Sequence, residues 1–474
     1  MSYAKFPLLL ILVCLLSVFL QDQRAEAAER RNIVLLLADD LGWTGLRCFG
    51  SDFYETPHLD ALAARGVRFT SAYSACTVCS PTRASLMTGK YPARLHLTDF
   101  IAGQNRPFAK LQIPNWTKQL NSEEITVAEI LRNAGYRTGH IGKWHLNGRG
   151  AAARGTQPVD QGFDYSYERP ANSKGYLLQE ESESGSKYLT DALTDKACEF
   201  IDQSAGEPFF LYFAYNVPHT PIEGRQDLVE YFQGKVDAGA IHKNPTYAAM
   251  VASLDMSVGR IVNQLERNAL MEKTLIVFIS DNGGLTQRYG KHDGFTDNIP
   301  LRRGKGSAYE GGVRVPAIIS WPRVTQGNSV CDEPIITNDL FPTFLAAAGV
   351  ETRNDESVDG RSLEPVLRDV TAKLDRDLFW HYPHYHAGGD SPYSAIRSGD
   401  LRLIEFHEDN SIQLYNLAED IGEQRDLSQQ LPDKARELRS KLHRWRDEVN
   451  AQMPTPNPKY DESRAVEVQP DRIR

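Results

Sequence analysis

Cysteine is scarce in this sequence of 474 residues, which contains six, and long basic runs are absent. Lys and Arg total 53 against 62 Asp and Glu, a formal net charge of −9, so we expect no nucleic-acid partner. The chain also lacks internal repeats and a long low-complexity linker, which argues against a string of small modules. Since 41% of the residues are hydrophobic, a large core can form, and we expect one large domain and one smaller domain.

Several catalytic and metal-binding motifs are missing too. The sequence has no Walker phosphate-binding loop and no Gly-x-Ser-x-Gly elbow, which removes two common classes of enzyme. Cys76-x-x-Cys79 has no second Cys-x-x-Cys to complete a zinc site. A redox dithiol, a buried structural thiol and a thiol nucleophile remain open as interpretations of this pair.

The first 27 residues are predicted to be a signal peptide that is removed. Lys5 precedes an apolar run from Pro7 to Leu20, and Ala25-Glu26-Ala27 fits a small-x-small cleavage site. The run is short for a membrane anchor, and no later stretch is apolar enough to cross a bilayer. We therefore expect a secreted or periplasmic protein that is not inserted in the membrane. An odd number of cysteines then remains, so at least one thiol is unpaired in an oxidising compartment.

Short apolar strands alternate with helical patterns over residues 28–365. The runs 33–37, 209–215 and 274–280 are continuously apolar, as is typical of strands covered on both faces. Apolar residues recur at helical spacing at 56–64, 126–134 and 247–268. This alternation indicates a domain of the α/β class.

The pattern changes after residue 365. Shorter strand patterns at 393–397 and 401–406 precede a charged helical pattern at 432–449. We predict that residues 366–453 form a smaller α+β domain with a small antiparallel sheet. Residues 454–474 are expected to be a loosely ordered polar tail.

Acidic and amide side chains follow two of the predicted strands. Asp39 and Asp40 follow the first apolar run, and Asp281 and Asn282 follow the third. The carboxyl ends of parallel strands meet at one edge of a sheet, so these side chains are expected to converge. Each alone is more often a solvated acid or a helix cap, but clustered carboxylates without a counter-charge repel one another. Hard oxygen donors suit calcium or magnesium rather than zinc, and we predict one divalent cation there.

The segment around Cys79 predicts a short helix with a reactive group at its start. Ser80 is a favoured N-cap, Pro81 a favoured first helical residue and Gly89 a typical C-terminal stop. An oxyanion at Cys79 would gain hydrogen bonds from the free backbone N–H groups of the helix. Arg83, one turn along, adds a permanent positive charge.

Further basic side chains complete the predicted site. Lys143 and His145 are separated by one residue, so on an extended segment they project from the same face. His219 follows the second apolar run, and Lys305 lies in a glycine-rich segment. The alternative interpretation of Lys143 and His145 is that they lie at an exposed strand end and form no site. Together these residues suit a tetrahedral anion, because fixed donors stabilise the charge that develops during transfer.

Cys79-Ser80-Pro81-Thr82-Arg83, closed by Thr88-Gly89, resembles the signature of the type I sulfatases. Other blocks resemble that family in the same order, at 38–42, 56–60, 142–146, 218–221, 280–284, 305–312 and 414–417. The resemblance implies an alkaline phosphatase-like fold, with a large, mostly parallel mixed sheet between helices. It also favours calcium as the cation, with an oxygen of residue 79 as a ligand beside the four acidic and amide residues.

The resemblance also implies a two-step mechanism. A maturation enzyme oxidises Cys79 to formylglycine, and a hydroxyl of the aldehyde hydrate attacks the sulfur of a sulfate monoester. His219 or Lys305 protonates the departing alcohol. His145 then removes a proton from the other hydroxyl, so that sulfate leaves and the aldehyde returns. Arg83 and Lys143 orient and stabilise the groups at residue 79.

Substrate choice is expected to depend on the ring-rich stretch 380–386, in which His384 is predicted to line the pocket. Secretion and negative net charge fit an exo-acting enzyme on sulfated glycans, although sulfated small molecules such as aryl sulfates also fit. One alternative is a phosphate or phosphonate monoester hydrolase on the same scaffold, which typically has a Ser or Thr nucleophile and zinc ligands. A second is a binding protein that has lost catalysis, but every inferred catalytic position is filled.

Overall fold

The computed structural model describes residues 30–148, 154–170, 173–178, 187–237, 239–286, 294–351, 358–386 and 389–470. The predicted signal peptide lies outside these residues. Among the described residues, no helix has both the length and the apolar character that a membrane span requires.

Within the described ranges, the strands lie in one large sheet, one four-stranded sheet and three small pairs. The strands are β1 (Asn32–Ala38), β2 (Val67–Phe69), β3 (Ala72–Tyr73), β4 (Gln104–Asn105), β5 (Leu111–Gln112), β6 (Arg137–Gly142), β7 (Tyr165–Tyr167), β8 (Phe209–Ala214), β9 (Thr274–Ser280), β10 (Ala317–Ser320), β11 (Ser329–Cys331), β12 (Ile335–Ile336), β13 (Asp377–Tyr382), β14 (Tyr393–Ser398), β15 (Leu401–Phe406), β16 (Ile412–Asn416), β17 (Thr455–Pro456) and β18 (Gln469–Pro470). The α-helices are Pro57–Arg65, Cys79–Thr88, Pro92–Leu95, Val127–Asn133, Leu189–Gln203, Gln226–Gln233, Pro245–Arg267, Glu310–Val313, Leu340–Ala348, Glu364–Arg368 and Pro432–Glu448.

The large sheet is mixed and mostly parallel. Among the described residues it has the strand order β11-β2-β10-β9-β1-β8-β6-β7. The strands from β9 to β7 run parallel to one another, whereas β10 is antiparallel to both of its neighbours. The predicted α/β class is confirmed, and the predicted apolar strands coincide with β1, β8 and β9 to within a residue at each end.

Helices cover both faces of this sheet. Every residue of β1 and β9 is buried, because alternate side chains enter opposite helical layers. Val34 and Leu36 pack in one core with Leu59, whereas Leu35 packs in the other core with Leu131. The first layer consists of Pro57–Arg65, Leu189–Gln203 and Pro245–Arg267, and the second of Cys79–Thr88, Val127–Asn133 and Leu340–Ala348.

The C-terminal part contains the predicted antiparallel sheet. Strands β13, β14, β15 and β16 pair in chain order, each antiparallel to the next. The amphipathic helix Pro432–Glu448 packs in the same core as this sheet through Leu438, Leu442 and Trp445. This arrangement confirms the smaller α+β part of the prediction.

The polar tail is more ordered than we expected. Its β17 pairs with β5, and its β18 pairs with β4. Asn457 Nδ2 also donates hydrogen bonds to the carbonyl oxygens of Pro107 (3.0 Å) and Ala109 (2.7 Å). These bonds satisfy backbone groups in segment 104–112, so the tail supports that segment instead of remaining loose.

The strands that precede the predicted site residues end at the same level. Ala38 is opposite Ser280 in the pairing of β1 with β9. Ala214 of β8 is opposite Leu37 on one side and Gly142 on the other. The loops that follow these four parallel strands therefore leave the sheet together at its carboxyl edge.

Candidate active site

Cys79 lies at the start of its helix and is only 2% exposed. The helix begins one residue before the predicted N-cap Ser80. Ser80 does not cap it, because its Oγ accepts a hydrogen bond from the backbone N–H of Ile101 at 3.1 Å. The predicted stop is confirmed, since Gly89 has a φ of 71°.

His145 faces Cys79 with a defined ring nitrogen. Its Nδ1 lies 3.4 Å from the sulfur of Cys79, and its Nε2 lies 2.6 Å from the carbonyl oxygen of Ile101. Because a carbonyl oxygen can only accept, Nε2 carries the proton and Nδ1 is the acceptor that faces residue 79. Burial, together with the charge of Lys143, lowers the pKa of His145 to about 3, which keeps the ring neutral.

Arg83 links the helix Cys79–Thr88 to two of the strand ends. Its Nε and Nη2 donate to the same oxygen of Asp281 at 2.9 and 2.8 Å, and its Nη1 donates to the carbonyl oxygen of Lys143 at 2.6 Å. Burial alone would lower the pKa of Arg83, but Asp281 and the other acidic groups around it together outweigh burial, so the pKa is raised. Arg83 is therefore a buried permanent charge that fixes the floor of the site.

Two lysines are paired with the two aspartates that follow β1. Lys143 Nζ donates to Asp39 Oδ2 at 2.6 Å, and Lys305 Nζ donates to both Asp40 oxygens at 2.7 and 2.9 Å. Burial opposes ionisation of all four side chains. The opposite charges outweigh it, so the pKa values of both lysines are raised and those of both aspartates are lowered. Both ion pairs are charged.

His219 lies on the other side of Asp40. Its Nε2 is 3.7 Å from Asp40 Oδ2, and its Nδ1 donates to the carbonyl oxygen of Thr220 at 2.7 Å. The hydroxyl of Tyr176 lies 2.6 Å from the carbonyl oxygen of Asn216 and 2.9 Å from that of His219, so it holds this loop. Burial lowers the pKa of His219 to about 4, although Asp40 opposes this effect.

The oxygen donors fit a hard divalent cation. One ligand atom each of Asp39, Cys79 and Asp281 lie within 4.8 Å of one another. Asn282 donates through Nδ2 to Asp40 Oδ1 at 2.7 Å. In the part of the chain that the structure describes, Asp39 Oδ1 and Asn282 Oδ1 are buried without a hydrogen-bond partner, which is costly unless a cation binds them. Burial and the charge of Asp39 also raise the pKa of Asp281 well above its ordinary value, and a cation would reverse this effect.

One cavity of 380 Å³ is lined by most of the predicted site residues. The predicted residues that line it are Asp39, Asp40, Cys79, Lys143, His145, His219 and Lys305. The predicted residues that are buried next to it are Arg83, Asp281 and Asn282. The structure thus brings together all the predicted catalytic and metal-ligating residues.

The substrate residue predicted from the ring-rich stretch lies elsewhere. His384 is fully buried, with its Nε2 2.8 Å from Thr98 Oγ1 and its ring against Trp116 and Tyr382. His386, two residues later in the same stretch, lines the cavity. The sequence interpretation also missed several other wall residues, which are Phe100, Ile101, Gln104, Arg169 and Tyr176.

The remaining cysteines form no disulfide in the described residues. The free thiols are Cys48, Cys76, Cys79, Cys198 and Cys331. Burial raises the pKa of Cys76, so this thiol is poorly suited to redox chemistry with Cys79.

Comparison with known proteins gives consistent matches over most of the chain. The family model described as Sulfatase matches residues 31–350, and the one described as N-sulphoglucosamine sulphohydrolase, C-terminal, matches residues 304–452. A sulfatase of Formosa agariphila is 32% identical, and the alignment covers 94% of each chain. Human arylsulfatase A is 32% identical with 84% of each chain covered, and human steryl-sulfatase is 30% identical with 87% of this chain and 79% of the relative covered.

Solved structures give the same result. The crystal structure of Ps i-CgsB matches with a TM-score of 0.75 and 28% identity, and covers 91% of this chain and 94% of that chain. The same protein has been solved in complex with k-i-k-neocarrahexaose. The phosphonate monoester hydrolase of Agrobacterium radiobacter shares the fold with a TM-score of 0.65 at 20% identity, and covers 89% of this chain and 96% of that chain.

Proposed function

Because this chain belongs to the sulfatase family and is a sulfuric ester hydrolase, we propose that it hydrolyses sulfate monoesters with a nucleophile derived from Cys79. One observation carries the proposal. His145 directs an unprotonated Nδ1 at residue 79 from 3.4 Å, at the wall of a cavity that Lys143 and Lys305 also line. Sulfate transfer requires a base, a nucleophile and fixed cations around a space of the size of the anion.

The nucleophile is proposed to be formylglycine, which a maturation enzyme makes from Cys79. The net change is a two-electron oxidation at Cβ, in which water supplies the aldehyde oxygen, sulfur leaves as hydrogen sulfide and the oxidant of the maturation enzyme accepts the electrons. The hydrated aldehyde supplies one hydroxyl for attack and a second whose deprotonation allows sulfate to leave. The thiol itself is then a precursor.

The surrounding side chains divide the proton transfers. His145 Nδ1 accepts the proton from the hydroxyl at residue 79, because its Nε2 proton is committed to Ile101. The leaving alcohol oxygen takes a proton from Lys305 Nζ, or from His219 Nε2 once this atom has itself been protonated, because the single proton of the neutral ring lies on Nδ1 against the carbonyl oxygen of Thr220. Both groups face the cavity beside Asp40. The acceptor His145 Nδ1 and the donor Lys305 Nζ are thus in place before the substrate binds.

Other residues hold the charges in place. Arg83 and Lys143 orient the groups at residue 79 and stabilise negative charge there. Asp39, Asp40, Asp281 and Asn282, with residue 79, are proposed to hold one calcium ion, for which magnesium is the alternative. The ion supplies positive charge to the sulfate oxygens and to the nucleophile.

The proposed natural substrates are sulfated carbohydrates outside the cytoplasm. The related structure with 28% identity and a bound neocarrahexaose supports this substrate class, as does a cavity large enough for a sugar ring. Export through the predicted signal peptide would bring the enzyme to such glycans. Within the cavity, His386 takes the substrate-contact role that the sequence assigned to His384.

Peptide mass spectrometry of enzyme from the natural host tests the nucleophile. We expect formylglycine at residue 79, loss of activity in Cys79→Ala and full activity in Cys198→Ser, which changes a thiol outside the cavity. Active enzyme with an unmodified Cys79 would contradict the proposal. Turnover of 4-nitrophenyl sulfate and 4-nitrophenyl phosphate tests the ester, and a strong preference for phosphate would favour the phosphatase alternative.

A further inference from the structure

We infer that the alcohol part of the substrate carries a second oxyanion, a carboxylate or a further sulfate, and that Arg169 binds it. This inference rests on the proposed hydrolysis of sulfate esters and names the substrate class of the same cavity. Arg169 lines the cavity together with Cys79 and Lys305. The reasons are the charge balance of the cavity wall, the way in which Arg169 is held and the side of the cavity on which it lies.

The other cationic side chains of the wall have their charges paired. Lys143 is bound to Asp39 at 2.6 Å, and Lys305 is bound to Asp40 at 2.7 Å. Arg169 forms no ion pair with any carboxylate among the residues that the structure describes. Its positive charge is therefore available in the cavity for an anion that the substrate supplies.

Arg169 is held in place by neutral acceptors. Its Nε donates to Ser173 Oγ at 3.1 Å, and its Nη2 donates to the carbonyl oxygen of Gly175 at 2.7 Å. Within the described ranges, its Nη1 donates to no other group. A guanidinium that is fixed at one edge and open at another can form a paired, charge-assisted contact with a carboxylate or a sulfate.

The second anion belongs to the leaving group because of where Arg169 is anchored. The Gly175 carbonyl that holds it directly precedes Tyr176. Tyr176 is hydrogen bonded to the carbonyl oxygens of Asn216 and His219. Arg169 is thus attached to the loop that carries His219, one of the two proposed proton donors to the departing alcohol, and lies on that side of the cavity. A sugar unit with two acidic groups fits this arrangement.

Three aryl esters test the inference. In 3-carboxyphenyl sulfate the leaving group carries a carboxylate, in 1,3-phenylene disulfate it carries a sulfate, and 3-carbamoylphenyl sulfate is the neutral match. Arg169→Gln is expected to lower kcat/KM about tenfold or more for an anionic ester, mainly through KM, and to leave the neutral ester within about twofold. Arg169→Lys should retain part of the preference. Arg65→Gln is the matched control, because Arg65 is exposed and pairs with Glu266 outside the cavity.

Different results overturn the inference and the proposed function. Equal losses for the anionic and neutral esters, or no loss for any of them, would overturn the role of Arg169. The anionic ester with the larger loss identifies carboxylate or sulfate as the preferred group. Absence of turnover of all three esters by wild-type enzyme would instead contradict sulfate hydrolysis. Calorimetric binding of the same esters to Cys79→Ala, with and without Arg169→Gln, then still measures the anion preference.

Discussion

The Nε2 atom of His145 lies 2.6 Å from the carbonyl oxygen of Ile101, and this contact determines which ring nitrogen faces Cys79. Two other bonds hold the Ile101 segment. Its backbone N–H donates to Ser80 Oγ, and the neighbouring Asp99 accepts a hydrogen bond from Tyr382. The loop therefore fixes the basic atom of the site through its backbone.

Replacement of His145 by alanine should stop the second half of the reaction. Without the base, we expect kcat to fall by about 10² to 10⁴-fold. A sulfate ester should accumulate on residue 79, and mass spectrometry of acid-quenched enzyme would detect it. The control is His443→Ala, which removes a half-exposed histidine of the C-terminal helix. A normal kcat, or a low kcat without the trapped ester, would contradict this role.

Removal of divalent cations should reduce both activity and stability. Asp39 and Asp281 are buried close together, and a chelator would remove the charge that offsets their repulsion. A cation at about 100 times its Kd should raise the free energy of unfolding by about 2.7 kcal/mol. Added calcium should restore activity, and Asn282→Ala should need more of it than wild type. Full activity and an unchanged Tm after exhaustive chelation would count against the site.

Asp99 should make stability depend on pH. It is fully buried, and burial raises the pKa of its carboxyl from 3.8 to about 7, although hydrogen bonds from Tyr382 and Phe100 oppose the shift. Between pH 3.8 and about pH 7, Asp99 therefore stays protonated in the folded chain, whereas it has lost this proton in the unfolded chain. Stability falls as the pH rises through this window, by at most about 4 kcal/mol, and the loss is complete above about pH 7.

Asp99→Asn should remove this dependence. Urea unfolding at about pH 5 and about pH 8 measures it, and the stability of the variant relative to wild type should increase with pH. The exposed Asp332→Asn is the control, since its side chain is 81% exposed. A constant difference between Asp99→Asn and wild type across the window would refute the prediction.

Loss of Arg402 should destabilise the contact between the four-stranded sheet and the helix Glu310–Val313. Arg402 is fully buried, forms an ion pair with Glu310 and lies 3.9 Å from Glu423. Arg402→Leu takes a cation away from two buried carboxylates, of which Glu310 keeps Arg314 at 3.1 Å, and we expect a loss of about 3 to 5 kcal/mol in the free energy of unfolding. The exposed Arg425, which pairs with Glu419, is the matched control, and Arg425→Leu should cost less than about 1 kcal/mol. Similar losses in both variants would contradict this account.

The central strands could be predicted because burial on both faces requires continuous apolar sequence. β1 and β9 are buried at every position, and their sequences are accordingly continuous apolar runs. β6 could not be predicted, although it leads to Lys143. Its Gly142 has a φ of 92°, and a Cβ there would lie 1.9 Å from the carbonyl oxygen of Ala214. This strand therefore needs small residues so that its backbone can lie close to that of β8. Small residues do not form the continuous apolar run from which β1 and β9 could be predicted.

The candidate catalytic and metal-ligating side chains could be brought together from the sequence because their chemistry is specific, and because most of them follow recognisable strands or lie in a recognisable helix. Ile101 could not, since it acts through a backbone carbonyl that every residue has. Nothing in the sequence around Arg169 distinguishes it from the other arginines, and only the position of the cavity does so. His384 and His386 fit the same ring-rich pattern. The choice between them depends on contacts with a distant segment, such as the bond from Arg106 Nη2 to the carbonyl oxygen of His386 at 3.0 Å.

Burial of the nucleophile helix has a consequence for biosynthesis. Every residue of Cys79–Thr88 is buried, and Leu86 and Met87 pack in the same core as Leu35 of the central strand. The proposed maturation enzyme would have to reach Cys79, which is 2% exposed in the folded chain, and the folded chain cannot release this segment without losing that core. The proposed conversion of Cys79 would therefore have to take place on the newly made chain, in competition with folding. A molecule that folds first would be stable, correctly shaped and permanently inactive.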